Sequence, residues 1–313
     1  MTTIRVRAIQ PEELDQFAQI TDRPQSIGRF SAFIQSLWDA GDSQPDWCFI
    51  VSDGDQDVGR IGYMKLDGRA DAVTLFGWTL PWDTDFLALG AALFSHSLAA
   101  LQTHGIQIVQ RELYDSWGTL EQQRQALQTA GFNLRQAQHV YEYAADAGRV
   151  SSATSLRFES LASVGDEQMM AVMAQIIVDT PDQNIQDLIA RDGLASFVAQ
   201  DYAMLKREYD VDPAWWCLAY APDGSLVGIF QSVKFKPYNE GNVAFIGVLS
   251  TQRGEGYGYA LLAEATNRLL DAGLDLVNGR TDAQNIPMQR TFAKAGYQLA
   301  SQVWTYETRL ETS

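Results

Sequence analysis

Basic residues are scarce in this chain. Its 23 Lys and Arg stand against 39 Asp and Glu, a formal charge of −16 over 313 residues. Nucleic acid is therefore not an expected partner, since that binding is driven by cations neutralising phosphates. Cysteine is scarcer still. Cys48 and Cys217 are too few for a disulfide framework, and each lies in an apolar run that reads as buried strand rather than reactive thiol. The cytoplasm is the compartment this cysteine usage suggests. Three histidines with no Cys/His cluster point away from a zinc site, and no metal is expected. No apolar run approaches the ~20 residues that cross a bilayer. The opening MTTIRVRAIQPEEL lacks the basic-then-apolar signature of a secretion signal, so no membrane partner is expected. Monomer and homodimer are both compatible with this composition.

What is present suits a globular protein: 46% hydrophobic and 20% charged residues, in a length that suggests two domains. The two domains are visible as a repeat. Shifted by 169 positions, 45-PDWCFIVSDGDQDVGRIGY-63 aligns with 214-AWWCLAYAPDGSLVGIFQS-232, matching Trp47 with Trp216, Cys48 with Cys217 and Gly59 with Gly228. Each segment reads as a hairpin. Further on, 130-AGFNL-134 matches 295-AGYQL-299 and Tyr141-Glu142 matches Tyr306-Glu307, at a shift of 165, with Gly105 opposite Gly273 between them. Matches in one order predict two copies of one fold, residues 1–147 and 154–313, joined by the small polar stretch 144-AADAGRVSSAT-154. Each copy reads as helices, a hairpin, a strand, a helix, a strand, a helix and a last strand. The leading helices are predicted over 12–20 and 29–40 in the first copy, and over 166–178 and a longer 184–209 in the second.

The second copy contains 250-STQRGEGYGYALLAEATNRLLDAG-273, where an apolar strand runs through three alternate glycines into a helical pattern. A helix N-terminus presents unpaired N–H groups and partial positive charge, and glycines let the main chain close around an anion. The spacing is not Gly-Lys-Ser/Thr, and Tyr259 stands where a dinucleotide fingerprint needs its third glycine. A helix-capping loop without a ligand is the plainer alternative.

Arg253-Gly254-Glu255-Gly256-Tyr257-Gly258 resembles the acetyl-CoA signature of the GNAT acetyltransferase superfamily. Asn285 and Ala295-Gly296-Tyr297 stand at the family's distances beyond it. The resemblance implies an α/β (mixed α+β) fold of two tandem GNAT-like domains, each a mostly antiparallel twisted sheet flanked by helices. It further implies acetyl-CoA as cosubstrate and transfer of its acetyl group to a primary amine of a small molecule. The acidic surface suits a cationic acceptor, and equally suits solubility. By the same resemblance, N–H groups of Gly254 through Gly258, Glu255 and Tyr257 among them, hold the pyrophosphate, and Arg253 adds a charge. The edge at Ile246, Gly247 and Val248 pairs with the pantetheine arm, Asn285 bonds near that arm, and the Val248 N–H stabilises the oxyanion.

The chain departs from the family in places. The position of the usual glutamate base is Asn242; Glu240, two residues earlier, is either a base acting through water or a solvated turn residue of 237-PYNEGN-242. The position of the usual tyrosine acid is Phe292. These losses keep open a second reading, a non-catalytic acyl-CoA-binding or interaction module. In the first copy Thr84, Asp85, Leu87 and Leu89 fall opposite Arg253, Gly254, Gly256 and Gly258 at the 169 shift, so that copy is expected to keep the fold and lack the cofactor.

Overall fold

The computed structural model describes residues 3–21, 26–66, 69–152, 154–180, 182–236 and 238–311; Ala153 of the expected linker and Pro237 of the expected turn lie outside them. The first half runs β1 (Ile4–Ala8), α1 (Leu14–Gln19), α2 (Ile27–Ala40), β2 (Cys48–Asp53), β3 (Gln56–Lys65), β4 (Ala72–Thr79), α3 (Phe86–Thr103), β5 (Ile108–Tyr114), α4 (Leu120–Thr129) and β6 (Asn133–Ala144). The second half repeats that order with one more leading helix. It runs β7 (Arg157–Ser160), α5 (Leu161–Ile177), α6 (Gln183–Asp192), α7 (Leu194–Glu208), β8 (Trp216–Tyr220), β9 (Leu226–Lys234), β10 (Glu240–Val248), α8 (Tyr257–Asp271), β11 (Leu276–Asp282), α9 (Ile286–Ala295) and β12 (Gln298–Arg309). The leading strands β1 and β7 escaped the sequence reading because each is a short edge strand with little alternation. The predicted helix over 184–209 is two helices, broken at Gly193, whose φ of 81° and ψ of 147° no helix accommodates.

The repeat is present, but its two units are not the two halves. One unit comprises residues 1–136 and 303–313, the other 137–302. In the first, β12 closes the sheet: Val303–Arg309 run antiparallel to Tyr114–Ile108 of β5. In the second, β6 does so: Gln138–Ala144 run antiparallel to Asp282–Leu276 of β11. The last strand of each copy is thus exchanged, which corrects the boundaries 1–147 and 154–313. Both sheets are antiparallel apart from one parallel pair each, β4 with β5 and β10 with β11. The stretch expected as a linker is anchored rather than loose. The Asn267 side chain of α8 accepts from the Val150 N–H and donates to its carbonyl, both at 2.9 Å, and Val150 is buried.

The repeat register also needs correcting. The short turns Pro45–Trp47 and Pro213–Trp215 correspond, a shift of 168, and one more residue enters the second hairpin: seven separate Val51 from its partner Gly59, eight separate Ala219 from Gly228. Trp47 therefore answers to Trp215, and Phe49 rather than Cys48 answers to Cys217. A one-residue slip turns a strand side chain to the other face. Cys48 packs beside Phe17 and Ile34 of α1 and α2, whereas Cys217 packs with Leu261 and Leu262 of α8. Both thiols are fully buried, and desolvation pushes them up to about 12 and about 11, so neither is a nucleophile at neutral pH. Gly59 and Gly228 do correspond. A Cβ at either would meet a carbonyl of the next strand, Thr79 O at 2.9 Å or Gly247 O at 2.2 Å.

Helix α3 has 18 residues and a mean hydropathy of 1.3, closer to membrane-span length than the sequence reading allowed. Its Leu89, Leu93, Phe94 and Leu101 pack in the core of the first unit, with Phe94 5.1 Å from Trp78 and 5.4 Å from Phe132.

Candidate functional site

The second unit opens between two strands. Pairing of β10 with β11 covers Glu240–Val243 against Leu276–Gly279 and goes no further, while pairing with β9 continues to Val248 against Gly228. A bulge at Ala244, between Val243 and Phe245, marks the parting and bends β10 away. Residues 244–248 thus carry strand backbone with one edge free. Burial agrees: the closed half alternates, and 244–248 are all half-buried.

That edge leads into the glycine loop. After a single 3-10 turn at Ser250–Gln252 come Arg253 and Gly254, then Glu255 and Gly256, which is the N-cap of α8. Gly254 and Gly256 have φ of 96° and 78°, the left-handed region that costs other residues ~1–2 kcal/mol. No side chain caps α8, so its first N–H groups face outward. A Cβ placed on Gly254, Gly256 or Gly258 would meet nothing within 4 Å. Gly258 is helical with an ordinary φ, so packing inside the protein gives no reason for its lack of a side chain. The loop is an exposed cradle of bare backbone, and it fits a pyrophosphate. Arg253 lies folded back, its Nε donating to Val248 O at 3.3 Å.

Asn285 has work of its own. Its Oδ1 accepts the Met288 N–H at 3.2 Å as the N-cap of α9, which leaves its amide hydrogens as the donors available to a ligand. Phe292, at the position of the expected tyrosine, is buried and stacks on Tyr141 of β6, with ring centroids 4.8 Å apart and planes 10° apart. Gly279 makes room for it: a Cβ there would come within 2.4 Å of the Phe292 ring.

One joint expectation fails on distance. Glu240 and Val248 begin and end β10. At ~3.3 Å per residue those eight steps span roughly 25 Å, and Ile246 is roughly 20 Å from Glu240. A carboxylate at one end and an N–H at the other do not serve one carbonyl. Glu240 instead accepts from Asn278 Nδ2 at 3.5 Å, where β10 and β11 are paired.

The first unit parts in the same way and is then filled. Pairing of β4 with β5 ends at Thr74 and Gln110. Beyond it Arg111 Nη1 donates to Leu75 O at 2.9 Å, with the guanidinium 4.8 Å from the Trp117 ring centre. Burial lowers its pKa to about 10. Counting from the first paired rung, the second unit has Gly279 where the first has Arg111. The loop differs too: six residues separate β4 from α3, against eight between β10 and α8, so the N-cap position of Gly256 is held by Asp85. Leu87 therefore answers to Gly258, not to Gly256. No sequence signal short of the structure revealed Arg111 as a plug. Its contrast with Gly279 becomes visible only once the strands are in register.

A mixed sheet with one parallel pair, splayed at a bulge and followed by a glycine-capped helix, is a fold of the GNAT kind. Residues 183–297 match the Acetyltransferase (GNAT) family. A mycothiol acetyltransferase of Arthrobacter sp. (strain FB24) is 32% identical over 117 residues, 36% of this chain and 33% of that protein, so the match spans about a third of the relative's length. Two solved structures follow nearly the whole chain. A GCN5-related N-acetyltransferase from Sphaerobacter thermophilus has a TM-score of 0.64 at 17% identity, covering 98% of this chain and 95% of that one. A tandem GNAT protein from the clavulanic acid biosynthesis pathway has a TM-score of 0.58 at 13% identity, covering 99% and 100%. At those identities the likeness is one of fold.

Proposed function

We propose that the protein is an acetyl-CoA-dependent N-acetyltransferase with one cofactor site, in the second unit, acting on a primary amine of a small molecule. The observation that carries this is the free edge 244–248 running into a cradle of bare backbone. The relative named mycothiol acetyltransferase supports acetyl transfer, and the charge of −16 favours a cationic amine in the encounter.

The N–H groups of Gly254 through Gly258 hold the pyrophosphate, with the Arg253 side chain released from Val248 O to meet it. The edge at Ile246, Gly247 and Val248 pairs with the pantetheine amides, and the Asn285 amide donates beside them. Acetyl-CoA, when bound, supplies an activated acetyl thioester. The Val248 N–H is placed to stabilise an oxyanion. With Glu240 at the far end of the strand, the amine gives up its proton to solvent, so the pH profile of turnover follows the acceptor's own ammonium pKa.

Phe292 and the distance of Glu240 favour a second reading, a module that binds acyl-CoA without turning it over. Thiol release across a panel of amines decides between the two. Turnover of any amine establishes the enzyme, and tight CoA binding with none establishes the module. Calorimetry is expected to give one CoA per chain, and two would show that Arg111 does not close the first unit.

A further inference from the structure

The buried stretch of β9, residues 227–233, is apolar except at two adjacent residues. Gln231 lies opposite Phe245 of β10 and Trp216 of β8, at the rung where β10 bulges. It is fully buried, and neither its carboxamide oxygen nor its nitrogen has a hydrogen-bond partner. Ser232 beside it is also buried with its hydroxyl unpaired. Such groups are costly to bury and are ordinarily satisfied.

The first unit shows that the fold does not require them. Its same rung carries Gly62 between Cys48 and Phe76. The Phe76 ring fills the place of a side chain at Gly62, 2.5 Å from where a Cβ would stand. Next to it, Tyr63 is satisfied by Ser97 at 2.7 Å. Two copies of one sheet thus differ at one rung: the copy with a plugged edge is apolar and satisfied there, and the copy with an open edge is polar and unsatisfied.

Alternation sets the direction of Gln231. Ile229 and Val233, two residues to either side, belong to the core beneath α5 and α7, so Gln231 faces those helices. That core includes Trp216 and Ile176, and Phe245 packs half-buried at its margin. Of the side chains around Gln231, Phe245 is the one on β10, the strand with the free edge. Across an antiparallel pair the two residues are only ~5 Å apart at Cα, and Phe245 immediately precedes the free edge at Ile246.

Building on the acetyl-transfer reading, we infer that Gln231 is a specificity-determining residue that reads the acceptor. It selects an amine whose neighbouring group is uncharged and both donates and accepts a hydrogen bond, as a carboxamide does. An ionic group is disfavoured, because Trp216, Ile176, Ile229 and Val233 offer it no counter-charge.

The test compares glycinamide, propylamine and glycine as acceptors for the wild type and for Gln231→Leu, with CoA affinity measured separately by calorimetry. The expected result is a wild-type preference for glycinamide over propylamine of tenfold or more in kcat/KM, with glycine the poorest. In Gln231→Leu that preference falls to threefold or less, while CoA affinity is unchanged and the variant melts at or above the wild type. A preference that persists in the variant overturns the inference and leaves the acetyl-transfer reading intact. Loss of CoA binding by the wild type itself would instead overturn that reading. Should CoA bind with none of the amines turned over, glycinamide must still raise the melting temperature of the wild-type CoA complex and not that of the variant. No rise in either overturns the inference.

Discussion

Replacing Gly256 by Asp tests the cradle with the residue that the other copy places at the same cap. A Cβ at Gly256 meets nothing within 4 Å, so the folding cost is only the left-handed φ of 78°, ~1–2 kcal/mol. A domain with ~5–15 kcal/mol of stability tolerates that. Binding suffers more. The pyrophosphate carries about two negative charges, and a carboxylate ~4 Å from each opposes them by roughly 2 kcal/mol even at the dielectric of water, more where the loop is partly desolvated. Affinity should therefore fall by ~30-fold or more.

Gly256→Asn separates the causes, having the same shape and strain without the charge. Calorimetry with CoA should show Asp weaker than Asn by at least tenfold, and added salt should narrow the gap, as screening demands. Thermal melts confirm that both variants fold. Asp binding within threefold of wild type would refute the placement of the pyrophosphate. Equal losses for Asp and Asn would show that strain alone disturbs the loop.

Asn285→Ala should cost ~1 kcal/mol of stability through its lost cap and also weaken CoA binding, whereas Asn285→Ser should restore the melting temperature and not the affinity; recovery of both by Ser would confine Asn285 to capping. Glu240→Gln should change turnover by less than threefold, because the side chain stands roughly 20 Å along the strand from Ile246; a hundredfold drop with a shifted pH profile would restore it as the base. A chain ending at Gln302 should lose hydrogen-exchange protection at Ile108–Tyr114, whose antiparallel partner is Val303–Arg309; unchanged protection would refute the exchanged strand.

The sequence made the element order of each copy legible because its signals are local. The apolar run of β9, helical spacing in α3 and α8, and the glycines before α8 need no knowledge of the rest of the chain. The cradle was legible for the same reason, being one contiguous segment. What escaped depends on register between distant segments. The hairpin's extra residue is invisible in a gapless shift, and it carried Cys48 onto the wrong face. Arg111 reads as an ordinary strand residue until the parallel pairing sets it level with Gly279. Glu240 and Val248 looked like partners because nine consecutive residues seem near in writing; the extended backbone sets their ends far apart. The polar pair Gln231-Ser232 did interrupt an apolar strand in plain sight, but its significance came only from the satisfied rung at Gly62 and Tyr63.

The exchanged strands explain why a first half without the glycine loop remains in the chain. Tyr141 and Tyr143 belong by sequence to the first copy, yet they lie in the core of the second unit, stacked on Phe292 at 4.8 Å and tilted against Tyr297 at 5.2 Å. Those two aromatic contacts anchor the end of α9, the helix that Asn285 caps. The strand β6 that carries them also covers the edge of β11 along Leu276–Asp282. Without it, β11 would expose a row of unpaired N–H and C=O groups, a template for aggregation, and Phe292 would lose a face of its packing. The debt runs the other way as well. Tyr306 of β12 is buried in the core of the first unit and accepts from Arg124 Nε at 3.1 Å. Once each copy completes the other's sheet, losing a cofactor loop leaves the fold unharmed, whereas losing the copy would not. The first half is thereby free to diverge at Asp85 and Arg111, while its last strand remains bound to the sheet of the second.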